Sequence, residues 1–460
     1  MKFIIENIGP IQKAEMEFGD LTILCGKNNT GKTYITYNTF NFLDAIKYFL
    51  HLSVDKEFSE KLLTIGKISI DLSGYFSNYH SMFKVAMEDW IKTESWRQMA
   101  THQDSYSNAK MTLEYDQCLF ETIIKGASIN NQYPITKNCI LHSKKNREQY
   151  NIEFTIENKG EELPDVDVLQ KHLKRFLSFV FNSFFPDTFI ITCERTGVAC
   201  FRPSFVYSPA KTSSVTELNE YDEDAPKYPR PMQKDWCFVV DFKDAIIEKS
   251  FIAEEHPYIL EYFADICGGN YSIDNNLVLF SPADSPNVKL TTTESSSTVR
   301  SLMELSFYLK HKAKRYQCLI IDEPELNLHP ENQRKIARLL VMLVNAGIRV
   351  AITTHSDYII REFDFMTRLY GNPELALKLG YSNNQLLKAD HIKTYVTSPV
   401  GSTGKYELKE ISVSEENGIE SSSFDTSIED MNFIQQSIQM GEMLPDDDFV
   451  FLDNDCRSQK

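Results

Sequence analysis

The stretch GKNNTGKT, Gly26 to Thr33, has the residue types and spacing to hold phosphate. Gly26 and Gly31 permit backbone turns that aim several N–H groups at phosphate oxygens. A helix starting at this loop would point its positive end at the same oxygens. Lys32 would reach the β- and γ-phosphates of a nucleotide, and Thr33 would hold Mg2+. The candidate ATP contacts are Gly26, Lys27, Asn28, Asn29, Thr30, Gly31, Lys32, Thr33 and Tyr34. From average residue usage, the four fixed positions would coincide by chance in a chain this long on the order of 2% of the time.

Three later stretches add chemistry. QCLIIDEPELNLHP, residues 317–330, is an apolar run ending in Asp322 and Glu323. A carboxylate at the C-terminal edge of a parallel strand can face a nucleotide crevice. Asp322 would hold Mg2+ through water, and Glu323 would orient and deprotonate an attacking water. Such acids can also simply face solvent; the phosphate loop upstream decides for the catalytic reading. VAITTHS, residues 350–356, is another apolar run, and it ends at His355. This imidazole could donate to a γ-phosphate or position water, or be structural. ESSSTVRSLMEL, residues 294–305, places Ser295, Ser296 and Ser297 before an amphipathic helix, where they could cap it or bind an anion.

These residues need strands that end together and helices that start beside them. KFIIENI (2–8) and LTILC (21–25) read as strands joined by GPIQKAEMEFGD, with a helix from Thr33 to about His51. Beyond it, SMFKVAMEDWIKTESWRQMA and VDVLQKHLKRFLSFVFNSFF have helical spacing, and QYNIEFTIE alternates as a strand. TFIITCERTG reads as a buried strand ending in a turn. Its Arg195 could face nucleotide or an interface, or make a structural ion pair. Residues 212–235 read as an acidic, proline-rich surface loop, and HPYILEYFADICGG as a helix stopped by Gly268 and Gly269. NLVLF and NVKLTT read as strands. From Glu294 to Phe363 the pattern is helix, strand, helix, strand, helix. HIKTYVTS and YELKEISVS read as strands, TSIEDMNFIQQSIQM as a helix, and the end after Met440 as an acidic tail.

Composition narrows the class. The 460 residues exceed one ordinary core, and 42% hydrophobic with 12% aromatic content argues for folded structure. A net charge of −17 disfavours a wholly basic nucleic-acid binder or a binder of anionic membranes, although a local basic groove is compatible with it. The nine scattered cysteines, without a C-x-x-C pair, fit a reducing compartment. With no secretory signal and no long apolar run, the expectation is a cytoplasmic protein with no membrane partner.

The order of glycine-rich loop, serine-led helix, Asp-Glu and strand-end histidine resembles ABC-type ATPases of the SMC/OLD branch. NIGPIQKAEMEFGDLTILCGKNNTGKT is similar to that branch's opening, ESSSTVRSL to its signature, DEPELNLHP to its Walker B and D-loop, and TTHS to its H-loop. Ser296 and Ser297 stand where the family commonly has Gly, and no Q-loop glutamine is evident. The resemblance implies an α/β fold: a P-loop ABC-type ATPase head with a mixed or parallel central sheet and inserted helical and α+β segments. Residues 1–50 would carry Walker A, and 51–187 would be an inserted, mainly helical subdomain. Residues 188–290 would be a second part of the head, 291–440 its C-terminal part, and 441–460 the tail.

The resemblance also implies that Ser295, Ser296 and Ser297 close on the ATP of a second subunit, giving a homodimer or a higher homo-oligomer. Heptads for a long coiled coil are absent, and the expectation from the chain length after Phe363 is an ATPase without a fused nuclease domain. Such compact ATPases resemble the ATPase subunits of anti-phage systems such as Septu, retron-linked Septu and PARIS, which control a separate nuclease or toxin. The alternatives are a DNA-repair ATPase that binds DNA directly, or a nucleotide sensor with negligible turnover.

Overall fold

A computed structural model describes residues 1–50, 52–160, 163–206, 228–240, 242, 248–274 and 277–420. Its main sheet has nine strands. Their spatial order is Lys110–Glu114 (β5), Lys2–Ile8 (β1), Ile11–Glu17 (β2), Tyr406–Ile411 (β16), Ile392–Pro399 (β15), Leu21–Cys25 (β3), Arg349–Thr354 (β14), Cys318–Asp322 (β13) and Thr188–Ile191 (β9).

From β15 to β9 every pairing is parallel. The β5-β1-β2 side is antiparallel, so the sheet is mixed. β3 and β13 are buried at every residue, as a parallel strand covered on both faces must be. Register aligns the C-terminal ends: Thr354 lies opposite Cys25, and Asp322 opposite Thr353. All these strands run the same way, so the residues that follow them emerge on one edge.

Helix α1 (Lys32–Phe49) follows β3 directly. The segment after it contains α2 (Lys56–Ile65), α3 (Phe76–Thr93), α4 (Ser95–Gln98), α5 (Gln117–Gly126) and α6 (Val166–Asn182). It also holds a separate four-stranded antiparallel sheet: Lys67–Asp71 (β4), Asn151–Asn158 (β8), Cys139–Lys145 (β7) and Ile129–Thr136 (β6). The expectation of a mainly helical insert misses this sheet. Its edge strand β6 alternates only between half-buried and exposed positions, so its apolar signal is weak.

Further corrections are local. GPIQKAEMEFGD is a strand rather than a connection over Ile11–Glu17, because Ile11, Ala14 and Met16 are buried against the core. α7 (Arg195–Val206) follows β9. Of the expected loop at 212–235, residues 212–227 lie outside the described residues, and from Arg230 the chain is helical in α8 (Arg230–Val240), with Pro231 and Asp235 buried. NVKLTT pairs only at Leu290–Thr291. The expected helix at 426–440 and the acidic tail lie outside the described residues.

Two short helices, α9 (Phe251–Glu255) and α10 (Pro257–Cys267), precede a small antiparallel sheet, and Gly268 ends α10 at φ 67°. Then come α11 (Ser297–Phe307), β13, α12 (Pro330–Asn345), β14 and α13 (Asp357–Arg368), the order the sequence indicates. One apolar core joins β3, β13 and β14 to α11, α12 and α13. A second joins β1, β2 and α1 to the insert, where Tyr79 stacks on Phe120 and lies tilted against Phe83 and Phe181.

Candidate nucleotide site

The loop from Gly26 to Gly31 is shaped by conformations that side chains resist. Gly26 has φ 136°, and a Cβ there would sit 2.0 Å from Thr397 Oγ1 on β15. Gly31 has φ 97°, and a Cβ would sit 2.6 Å from Ile11 Cδ1. The cradle therefore exists only because both positions lack side chains. Thr30 turns inward: its hydroxyl donates to the Lys27 carbonyl at 2.8 Å and lies 2.6 Å from Thr397 Oγ1. Only its backbone N–H remains for a ligand. Lys27, Asn28 and Asn29 are exposed. Tyr34 packs its ring on Gly9, where a Cβ would meet Cε1 at 2.6 Å.

Lys32 is 5% exposed, and its ammonium donates to the carbonyls of Gly26 (2.9 Å) and Lys27 (2.8 Å), spanning the loop. Burial lowers its pKa, opposed by the charges of Glu323 and Asp322. Thr33 Oγ1 donates to Asp322 Oδ2 at 3.3 Å, so the loop helix and β13 meet here. Thr353 donates to the other carboxylate oxygen of Asp322. Burial raises the Asp322 pKa, and the charges of Glu323 and Glu194 add to this.

Glu323 follows with φ 50°, a left-handed conformation costly for a side chain with a Cβ. Its N–H donates to the Thr353 carbonyl at 3.2 Å and to Thr353 Oγ1 at 3.1 Å. Its carboxylate lies 3.4 Å from His355 Nε2, and this partner holds its pKa below the ordinary range. His355 is held in turn by Glu325, whose Oε1 accepts from the His355 N–H and from Thr354 Oγ1, both at 2.8 Å. Lys32, Thr33, Asp322, Glu323 and His355 thus gather at three adjacent strand ends.

The signature serines stand apart from this group. Ser295 is buried and donates to the Thr291 carbonyl at 2.7 Å. Ser296 Oγ accepts from the Val299 N–H at 3.2 Å as the N-cap of α11, and Ser297 is exposed. Arg300 braces the turn by donating to the Thr292 and Ser295 carbonyls. The capping reading holds for Ser296, and only Ser296 and Ser297 are presented outward.

Several participants escaped the sequence reading. Thr353, Thr397 and Glu325 act through neighbours on other strands, although Glu325 lies within DEPE. Glu194 accepts from Tyr37 Oη at 3.3 Å, and its charge acts on Asp322. Its only signal was its place at the end of an apolar run. Hydroxyl and carboxylate oxygens at Thr33 and Asp322 are the hard donors Mg2+ takes, and Mg2+ commonly draws its remaining ligands from water and phosphate. Consistent with so sparse a set, the described residues contain no cluster of three or more His, Cys, Asp or Glu suited to a metal. Every cysteine among them is a free thiol, and no helix among them is long and apolar enough to cross a membrane.

A phosphate-shaped loop on a central parallel strand, facing an Asp-Glu pair two strands away, defines a P-loop ATPase head. The sequence agrees: the AAA ATPase domain family matches residues 1–186 and 240–360, and the chain belongs to that family. No curated protein matches the chain. Solved structures similar to it include the SMC head domain of Thermotoga maritima, at 11% identity over 90% of this chain and 98% of that one, with a TM-score of 0.29. A Pyrococcus furiosus Smc head with an extended coiled coil, bound to the C-terminal domain of ScpA, matches at 10% identity over 95% and 98%, with a TM-score of 0.32. An SmcHead bound to the C-winged helix domain of ScpA matches at 11% over 89% and 97%, with a TM-score of 0.34.

Proposed function

We propose that this chain binds ATP with Mg2+ and hydrolyses it as a conformational switch. The observation that carries the reading is the convergence of Lys32, Thr33, Asp322, Glu323 and His355 at the ends of β3, β13 and β14. The N–H groups of Gly26 to Thr33 and the start of α1 face the phosphates, with Lys27, Asn28, Asn29 and Tyr34 around them. Lys32 exchanges its two carbonyl partners for phosphate oxygens. Thr33 and Asp322 would hold Mg2+, which would neutralise charge on the phosphates. Glu323, kept ionised by His355, takes a proton from the attacking water. His355 orients that water or donates to the γ-phosphate.

Ser296 and Ser297 open α11 on an outward surface, which suits closure on the nucleotide of a second copy. ATP binding would then close a head-to-head homodimer, and hydrolysis would time its release. The output is assigned to a separate nuclease or toxin in anti-phage defence, on the strength of the motif resemblance. The test of the enzymatic step is phosphate release from ATP with Mg2+. Wild type should turn over and Lys32→Ala should not; equal rates would refute it. For the output, copurification with a nuclease or toxin would support the assignment. Tight, salt-dependent DNA binding by the chain alone would replace it with a repair role.

A further inference from the structure

Arg195 is 3% exposed, yet its guanidinium makes no contact with the phosphate loop. It instead holds four backbone carbonyls on three elements. Nε donates to Ser301 on α11 (3.1 Å), and one terminal nitrogen donates to Thr192 after β9 (2.9 Å) and to Asp322 (2.8 Å). The other donates to Glu323 at 2.6 Å. The Glu323 peptide is therefore pinned on both sides, by Thr353 at its N–H and by Arg195 at its carbonyl. Its left-handed φ of 50° is a conformation that persists only when the surroundings over-determine it.

The same guanidinium reaches the signature helix. Ser301 lies one turn and a half beyond Ser296, and a second route runs beside it. Thr298 Oγ1 donates to the Asn327 carbonyl at 2.7 Å, and Asn327 donates to Thr196 Oγ1 at 3.2 Å. Two buried acids flank Arg195. Asp235 accepts from the Thr192 N–H at 2.8 Å and from its hydroxyl, while neither carboxylate oxygen of Glu304 meets a donor among the described residues, and burial and the nearby Asp235 raise the Glu304 pKa. Burial raises both carboxyls, which favours their protonated forms beside the guanidinium.

We infer that Arg195 is a positioning residue for hydrolysis: it fixes the Glu323 backbone in the conformation that aims the carboxylate at the nucleotide, and ties that conformation to the placement of the signature helix. This rests on the ATPase reading above and adds a residue that touches neither nucleotide nor metal. A lysine keeps the charge opposite Asp235 but radiates its donors from one nitrogen, so it cannot span Ser301 and both carbonyls of the Asp322–Glu323 turn.

The test compares wild type with Arg195→Lys, measuring fluorescent-ATP affinity and kcat on protein shown to be folded by thermal melt. The expected result is affinity within about threefold of wild type and kcat lowered by roughly tenfold or more, since misplacement by about 1 Å can cost 100-fold. Unchanged kcat would overturn the inference, and so would a parallel loss of affinity and kcat, which marks a merely structural role. If Arg195→Lys does not fold, the double variant Arg195→Gln/Asp235→Asn removes both buried charges together and is read in the same way. Failure of both to fold also counts against it. A wild-type chain that binds ATP but never hydrolyses it would instead refute the underlying ATPase reading.

Discussion

His355 Nε2 lies 3.4 Å from Glu323 Oε1, across the adjoining ends of β14 and β13. The contact gives Glu323, the proposed general base, a partner that favours its ionised form, against a burial that opposes it. Replacing His355 by Ala should lower kcat by roughly 10- to 100-fold while leaving ATP affinity nearly unchanged. The sign of the pH effect follows. Glu323 has a depressed pKa and stays active as pH falls below the ordinary 4.5. Without His355 the acid limb of kcat should move to higher pH. A pH–rate profile checks this; an unmoved limb would argue against the pairing.

Gly26 tests the cradle. Its φ of 136° and the 2.0 Å approach of Thr397 Oγ1 leave no room for a methyl group. Gly26→Ala should destabilise the fold by about 1–3 kcal/mol in denaturant titration. It should also weaken ATP binding. Adding Thr397→Ala should recover part of the loss by removing the clash. A single variant as stable as wild type would show that the loop adapts.

The proposed head-to-head assembly rests on the outward serines Ser296 and Ser297. Glu323→Gln with saturating ATP should double the mass seen by light scattering, or exceed that if dimers associate further. Ser297→Arg should abolish the shift while leaving ATP affinity intact. A trapped variant that stays monomeric at full nucleotide occupancy would contradict closure in trans.

The buried acids give stability a pH dependence. Burial pushes Asp235 up to about 7 from its ordinary 3.8, and burial and Asp235 raise Glu304 as well. The folded state therefore binds more protons than the unfolded chain in this range, so stability is greatest below about pH 4 from this source and declines as pH rises toward 7. Glu304→Gln imitates the protonated acid and should flatten that decline by about one proton. Chemical melts from pH 5 to 8 measure it. Parallel slopes in both proteins would mean the pair holds no extra proton.

The nucleotide loop and the strand-end acids were legible because each sits at the end of an apolar run whose length marks a buried strand. β3 and β13 announce Lys32 and Asp322 in this way. β2 was not legible: its burial breaks the period-two rhythm, with two exposed residues between Ile11 and Ala14. β4 pairs with β8, far along the chain, and no local signal records such a partner. β6 pairs with its neighbour β7, but its half-buried and exposed positions give little apolar signal. Asp235 follows a stretch rich in proline and acids, a context that suggests surface. Its hydrogen-bond partner Thr192 is distant in sequence and comes beside it only on folding. Arg195 was visible as a residue of interest, but its four carbonyl partners come from folding alone.

The central claim is that Lys32 holds ATP and Glu323 breaks it. Equilibrium ATP binding and single-turnover hydrolysis should therefore be measured side by side in wild type, Lys32→Ala and Glu323→Gln. The account predicts that Lys32→Ala loses most of its affinity, whereas Glu323→Gln binds as wild type does and hydrolyses roughly 100-fold more slowly or worse. Wild-type turnover by Glu323→Gln, or undiminished affinity in Lys32→Ala, would contradict it.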